Sequence, residues 1–440
     1  MRQRFIFWFW LPLFASWLLM TAEGPTISAA INRLPNEVTM MAAYGIVVSL
    51  SVLIESPIIN MLATSTAVVK DRASYLLVRT FTVHWMILLT IVSILVAFTP
   101  LFDLIVVNLL DTPPEVARWV RPGMQIMILW SAAIAWRRFL QGVMIHFGQT
   151  RKVAWGTGVR LVASVGTAVS LAMLSGLPGV IIGAMSLMAG VLAEAAYATI
   201  AIRPILNHEL APDQPAAPGD PLTYRELFLF HLPLAATSVL LLLVQPMVTS
   251  SLARLPNPVI SLAAWPILFQ ITLMSRAAAL ALPEVVIALS EKPESFAPVR
   301  RFSFNLTGAI TVFMVVFIGT PLASFYVFVV QDMTAVVGEL VRSSIVYFLL
   351  FPALATIISW LRGLLINKRV TKAVNMGMAI NLVITAVVLL VGLYFQWAGI
   401  FTAALAFNLA AVGEIIYLGR QTKRALPTIP LLGKPAPVAP

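Results

Sequence analysis

Seven ionisable side chains interrupt long apolar stretches: Glu23, Glu55, Arg160, Glu194, Arg276, Glu284 and Glu414. A charge in mid-bilayer costs at least about 2.5–3.5 kcal/mol on insertion scales, so each needs a partner or a task. Glu23 is followed by Gly24 and Pro25. Proline removes a backbone donor and loosens a helix. A carboxylate there could take up a proton or a sodium ion and bend the helix as it does so. The plainer alternative is a carboxylate capping a broken helix near the outer interface. Glu194 and Glu414 each open a Glu-x-x-Tyr pattern, with Tyr197 and Tyr417. That spacing puts both side chains on one helical face, and its duplication points to a structural carboxyl bonded to a neighbouring helix. Arg160 could neutralise Glu194 or face an anion. Glu284 is a further secondary candidate.

Other chemistries lack their residues. His84, His146, His208 and His231 are scattered, with neither metal-ligand spacing nor a Ser/His/Asp set. Cysteine is absent, which removes thiol chemistry, disulfides and thiolate metal sites. Without a P-loop or glycine-rich phosphate motif, an ATP-driven pump is not expected. We expect no enzyme, no cofactor and no metal.

The elements that must carry these charges are membrane helices. Of 440 residues, 60% are hydrophobic and 11% charged, against about 25% charged in ordinary soluble domains, and the mean hydropathy is +0.93. About twelve runs are long and apolar enough to cross a bilayer, which takes about 20 residues; the fourth and tenth lie near 119–146 and 336–366. No alternation typical of a membrane β-barrel is present. The start, "MRQRFIFWFWLPLFASWLLM", lacks a small-residue cleavage site and reads as a retained first span. The expected architecture is all-α and polytopic. A six-helix bundle occupies 1–203, a cytoplasmic linker 204–225, a second six-helix bundle 226–424 and a disordered, Pro-rich tail 425–440.

A net charge of +11 could suggest nucleic acid, but the basic residues cluster in alternate short loops. With the N-terminus inside, inner segments hold about 22 Lys and Arg and outer loops about 5. Both termini are therefore expected in the cytoplasm, with the chain in a plasma (bacterial inner) membrane. Arg137, Arg138, Arg151 and Lys152 read as one such inner cluster, explained by topology and anionic headgroups, with a role in drawing anionic substrates inward as the alternative.

The sequence also repeats itself. "RLPN" starts at Arg33 and again at Arg254, 221 positions on. The same offset places Pro12 on Pro233, Pro25 on Pro246, Arg121 on Arg342 and "LQG" from Leu140 on "LRG" from Leu361. One residue of slippage then puts Glu194 on Glu414. Prolines, arginines and phrases at one offset mark internal duplication. Six spans per repeat is an even number, so the repeats are parallel, as in transporters that rock two bundles about a central site.

Two transporter superfamilies have such six-plus-six repeats. The facilitator-type "GxxxDRxGRR" loop is absent; that loop here reads "TSTAVVKDRASY". "FLQGVMIHFGQTRKV" resembles the fourth-to-fifth span loop of MATE-type proteins of the multidrug/oligosaccharidyl-lipid/polysaccharide (MOP) superfamily. Within it, "AEGPTISAAINRLPNEVTMMAAYGIVVSLSVLIESPI" and the later "VVKDR" are similar to the progressive ankylosis protein family, which has a Glu in its first span, here Glu23. The likeness covers about the first 80 residues and departs in the shorter chain and missing cysteines. It implies export of small organic or phosphate-containing anions, such as citrate or nucleotides. MATE relatives expel cationic drugs on proton or sodium gradients, and other members flip lipid-linked sugars.

The resemblance also implies a gate. Glu55 and Arg276 are repeat mates of opposite sign, on the second and eighth spans, which face a central cleft in MOP-type folds. Pairing across the cleft is one expectation; separate partners within each bundle is the other. Expected partners are a small-molecule substrate, a coupling ion (H+ or Na+) and membrane lipids, with no nucleic acid and a monomeric chain.

Overall fold

The computed structural model describes residues 2–215, 221–290, 295–368 and 370–426. Among them every regular element is helical. In chain order these are α1 Gln3–Ile31, α2 Glu37–Glu55, α3 Met61–Val68, α4 Arg72–Phe98, α5 Pro114–Ile126, α6 Trp130–His146, α7 Thr150–Leu174, α8 Gly179–Ala201, α9 Arg203–His208 and α10 Tyr224–Leu242. There follow α11 Val244–Arg254, α12 Pro258–Ser275, α13 Ala277–Leu280, α14 Leu282–Leu289, α15 Phe296–Gly319, α16 Leu322–Ser324, α17 Ala335–Ser344, α18 Phe351–Asn367, α19 Thr371–Tyr394 and α20 Gly399–Ala425. The interior of the expected linker, 216–220, and most of the expected tail, 427–440, lie outside the described residues.

Ten described helical stretches are long and apolar enough to cross a membrane, and the chain is an integral membrane protein. An eleventh arises if α17 with its 3-10 extension and α18, bent by 43°, count as one span. The run near 119–146 is likewise divided. A 3-10 turn at Met127–Leu129 separates α5 from α6, so neither piece spans alone. Its repeat mate breaks at Ile345–Phe348.

The duplication is written into backbone irregularities that composition cannot produce. Asn36 and Asn257 both sit in the left-handed region, with φ of 57° and 56°. Each ends an RLPN turn and opens the next helix. Asparagine tolerates this conformation far better than other L-residues. Asp111 and Asp332 share it too, each closing a π-helical segment, Asp103–Leu109 and Phe325–Val330. Side-chain caps fix other starts. Asp71 and Ser74 form a capping box on α4, and Thr223 and Glu226 form one on α10, satisfying donors that a helix start leaves open.

Packing divides the chain into two compact units, and the division does not follow the linker. The N-terminal unit is Thr26–Arg254 with Pro258–Ala263. The C-terminal unit is Met1–Pro25, Leu255–Asn257 and Ala264–Pro440, so far as these are described. Most of α1 thus packs with the C-terminal unit, and all of α10 and α11 with the N-terminal one. Ile6 and Trp10 of α1 lie in one apolar cluster with Val285, Phe302, Trp360 and Leu418. In the N-terminal unit α6 lies close on α3. A Cβ on Gly142 would overlap the Ser65 side chain and the Leu62 carbonyl, so only glycine allows that approach.

Candidate functional site

Each unit buries a carboxylate at the centre of a polar cluster. In the N-terminal unit Glu194 of α8 is fully buried. Arg137 on α6 donates from Nη1 to its Oε2 at 2.8 Å, and Gln141 donates from Nε2 to its Oε1 at 2.9 Å. Arg137 and Gln141 are four residues apart, so one helical face delivers both. Arg160 on α7 reaches within 4.0 Å of the same carboxylate. Gly156, one turn before Arg160, faces Tyr197 and the Glu194 stem, with room for a Cβ in ordinary van der Waals contact.

In the C-terminal unit Glu414 of α20 is equally buried. Arg362 on α18 donates from Nε to Oε1 at 2.8 Å, and Asn381 on α19 donates to Oε2 at 2.9 Å. Gly377, the repeat mate of Gly156, lies against Leu418 and the Glu414 stem. Such pairs hold because the donors offset the desolvation of each ion; removing one member strands its partner.

Beside each cluster lies a charge without a close counter-ion among the described residues. Glu55 ends α2 with 6% of its surface exposed. Arg138, Arg137 and Arg160 are within electrostatic reach, and the Trp130 indole adjoins it. Its Oε2 is buried without a hydrogen-bond partner, as are Trp130 Nε1 and the Nε atoms of Arg137 and Arg138. In the C-terminal unit Arg276 follows α12. Its guanidinium lies 5.6 Å from the Phe351 ring centroid, and its Nε is buried and unpartnered. Phe351 is the repeat mate of Trp130, over which Arg160 lies at 5.9 Å.

The remaining candidates are placed separately. Glu23 is buried within α1, in the C-terminal unit. α1 runs unbroken through Pro12 and Pro25, yet the boundary between compact units falls at Pro25. The Pro25 carbonyl accepts from Gln331 Nε2 at 3.1 Å, and that amide also meets the Tyr326 hydroxyl. Glu284 lies on the exposed side of the first turn of α14.

The structure therefore brings Arg160, Glu194 and Glu55 into one neighbourhood, with Arg276 beside the Arg362–Glu414 pair. Sequence reading places Arg137 and Arg138 in an inner basic cluster and misses the bond from Arg137 to Glu194; both lie inside α6. It also missed Gln141 and Asn381, which look like ordinary polar residues. One signal was available: Gln141 falls on Arg362, and Arg160 on Asn381, at the repeat offset.

No family model matches the chain, and no curated protein matches it. Solved structures do. The chain is similar to an inward-facing multidrug resistance MATE family transporter of the MOP superfamily, with 11% identity, TM-score 0.71, and coverage of 94% of this chain and 96% of the other. It is similar to the lipid II flippase MurJ in an inward closed conformation, with 12% identity, TM-score 0.73, and coverage of 94% and 87%. It is also similar to a MOP superfamily transporter from Pyrococcus furiosus whose binding pocket has reverse polarity, with 11% identity, TM-score 0.63, and coverage of 96% of each. The fold of this chain is MATE-like.

Proposed function

We propose that the chain is a secondary active exporter that moves small organic or phosphate-containing anions by alternating access. The fold supports the transporter reading. The observation that carries the anion reading is the charge inside the N-terminal unit. Three guanidinium groups, Arg137, Arg138 and Arg160, stand near two carboxylates, Glu55 and Glu194. Arg138 makes no ion pair with a described carboxylate. A surplus guanidinium in low dielectric favours an anion with planar or tetrahedral oxygens, which it can hold bidentately.

Glu23 is the proposed coupling site for H+ or Na+, and Pro25 the point at which α1 yields. Glu55, Arg160 and Arg276 are proposed to meet the substrate or gate its path. Glu194 and Glu414 hold their bundles together, and Glu284 is a secondary candidate. The chain works as a monomer in the plasma membrane with both termini cytoplasmic, a reading supported by the Lys and Arg bias between loops. A second reading, MATE-type cation antiport, draws on one observation: Glu55 keeps a buried carboxylate oxygen without a partner, which a cation could use.

Metabolite profiling of medium from cells with and without the protein tests the choice. Accumulation of citrate, nucleotides or a related anion, lost in Glu23→Gln, is the expected result. Unchanged anions with raised tolerance to cationic drugs would replace it with the antiport reading.

A further inference from the structure

The first helix of each repeat, which packs in the unit built mainly from the other repeat, is held there in part by one ring nitrogen. In the C-terminal unit Trp10 of α1 donates from its indole N–H to the carbonyl of Ala278 at 3.1 Å. In the N-terminal unit His231 of α10 meets the carbonyl of Pro57 through Nε2 at 3.0 Å. His231 is the repeat mate of Trp10, and Pro57 that of Ala278. Both carbonyls lie where a span breaks. Pro57 is in the 3-10 turn after α2, and Ala278 is in the short α13 after α12. A break leaves carbonyls without their i+4 donor, so a ring N–H from another helix fills the vacancy in each unit.

The two fasteners differ in one property: an indole N–H cannot titrate near neutral pH, whereas an imidazole can. His231 is fully buried. With Nε2–H donating to Pro57, Nδ1 accepts from the Thr64 hydroxyl at 2.9 Å. Phe81 and Trp85 of α4 enclose the ring, with centroids at 5.4 and 5.8 Å. The surrounding elements carry Arg72, Tyr75, Arg79 and His84 on α4 and Tyr224, Arg225 and Glu226 on α10. His84 on α4 and Tyr224 on α10 bond each other at 2.9 Å, and Glu55 closes α2 two residues before Pro57. No described carboxylate pairs with the ring. A second proton would deprive Thr64 of its acceptor and put an unpaired cation in an aromatic box, which is costly unless water enters. Asn60, which donates to the Leu234 carbonyl at 3.0 Å and to Ser238 Oγ at 2.6 Å, would then be the side chain that still bonds the α2–α3 segment to α10.

We propose that His231 is a proton-binding site that works as a latch: neutral, it fastens α10 to the α2 break and α3; protonated, it lets α10 leave them. Trp10 fastens α1 to the C-terminal unit at any pH. Acid therefore loosens one unit's borrowed helix and not the other's. The role in transport rests on the alternating-access reading, but the latch itself is measured without a substrate.

The cysteine-free chain suits pulsed electron paramagnetic resonance in lipid nanodiscs. One nitroxide pair, at Leu240→Cys on α10 and Val162→Cys on α7, reports the N-terminal unit; both positions are exposed. A control pair, at Trp8→Cys on α1 and Val383→Cys on α19, reports the C-terminal unit, and both are exposed as well. Between about pH 8 and about pH 5.5 the first pair should gain a second, longer distance population. Its ratio to the first should change by up to about tenfold per pH unit, as one-proton linkage requires. The control pair should not respond. His231→Gln keeps a donor and cannot titrate, so it should hold the short distance at both pH values. Identical distributions at both pH values in the parent, or a pH response that survives in His231→Gln, would overturn the latch. A pH-dependent distance without anion export would retain the latch and remove the anion reading; export without it would do the reverse.

Discussion

Glu194 takes a guanidinium from Arg137 and an amide from Gln141, with Arg160 at 4.0 Å. Glu414 takes its guanidinium from Arg362 and its amide from Asn381. At the repeat offset Gln141 corresponds to Arg362 and Arg160 to Asn381, so at these two positions guanidinium and amide are exchanged between the units, while Arg137 falls on Ile358. The carboxylate, the glycine facing its stem and the adjoining aromatic position are kept. What a buried carboxylate demands is a complete donor set and a compensating charge; the helix that supplies each donor is free. Beside these clusters the positions of Glu55 and Arg276 differ in sign. Neither is tied into the carboxylate's donor set, so neither is held to one charge by packing, and there the units can diverge in function.

The largest effect should come from removing the carboxylates. Glu194→Gln removes the carboxylate that Arg137 pairs with and Arg160 approaches, leaving the more distant Glu55 as counter-charge. Glu414→Gln leaves Arg362 alone beside Arg276. Stranding a buried charge costs about 3–5 kcal/mol, and Glu194→Gln should reach or exceed that range while Glu414→Gln falls at or below it. Thermal unfolding in detergent measures both, and equal losses would mean that Arg160 carries no share in the first cluster.

A rearrangement sharpens the comparison with a smaller signal. Arg362→Gln should destabilise the C-terminal unit. Adding Asn381→Arg puts the amide on α18 and the guanidinium on α19, as Gln141 and Arg160 are placed on α6 and α7. Residues sharing one network couple by about 0.5–3 kcal/mol, so the double variant should regain about half the loss of the single one. If the double is no more stable than Arg362→Gln, the two donor positions are not interchangeable.

The smallest effect belongs to the paired turns. Asn36→Ala and Asn257→Ala each force alanine into left-handed backbone, at about 1 kcal/mol, and the two losses should match within about half that. Glycine at either site should be close to neutral. Unequal losses would show that one RLPN turn carries a constraint beyond its backbone.

The sequence by itself determined the helical class, the approximate spans and the repeat. Apolar run length sets what a bilayer accepts, and a constant offset between prolines, arginines and the RLPN phrases survives any packing. It also marked Glu194, Glu414, Glu55 and Arg276 as charges in unsuitable surroundings, because a charge in an apolar run is a local property. It did not show that Arg137 and Arg138 turn inward, since a basic pair near a span end satisfies the loop pattern equally well. Gln141 and Asn381 carried no local signal, and their roles depend on Glu194 and Glu414, which lie 53 and 33 residues away in sequence. The exchange of α1 and α10 between units was equally hidden. Local pattern states that a helix has an apolar face, whereas the surface that covers it, and the open carbonyl that takes the Trp10 or His231 ring nitrogen, exist only once distant helices have packed.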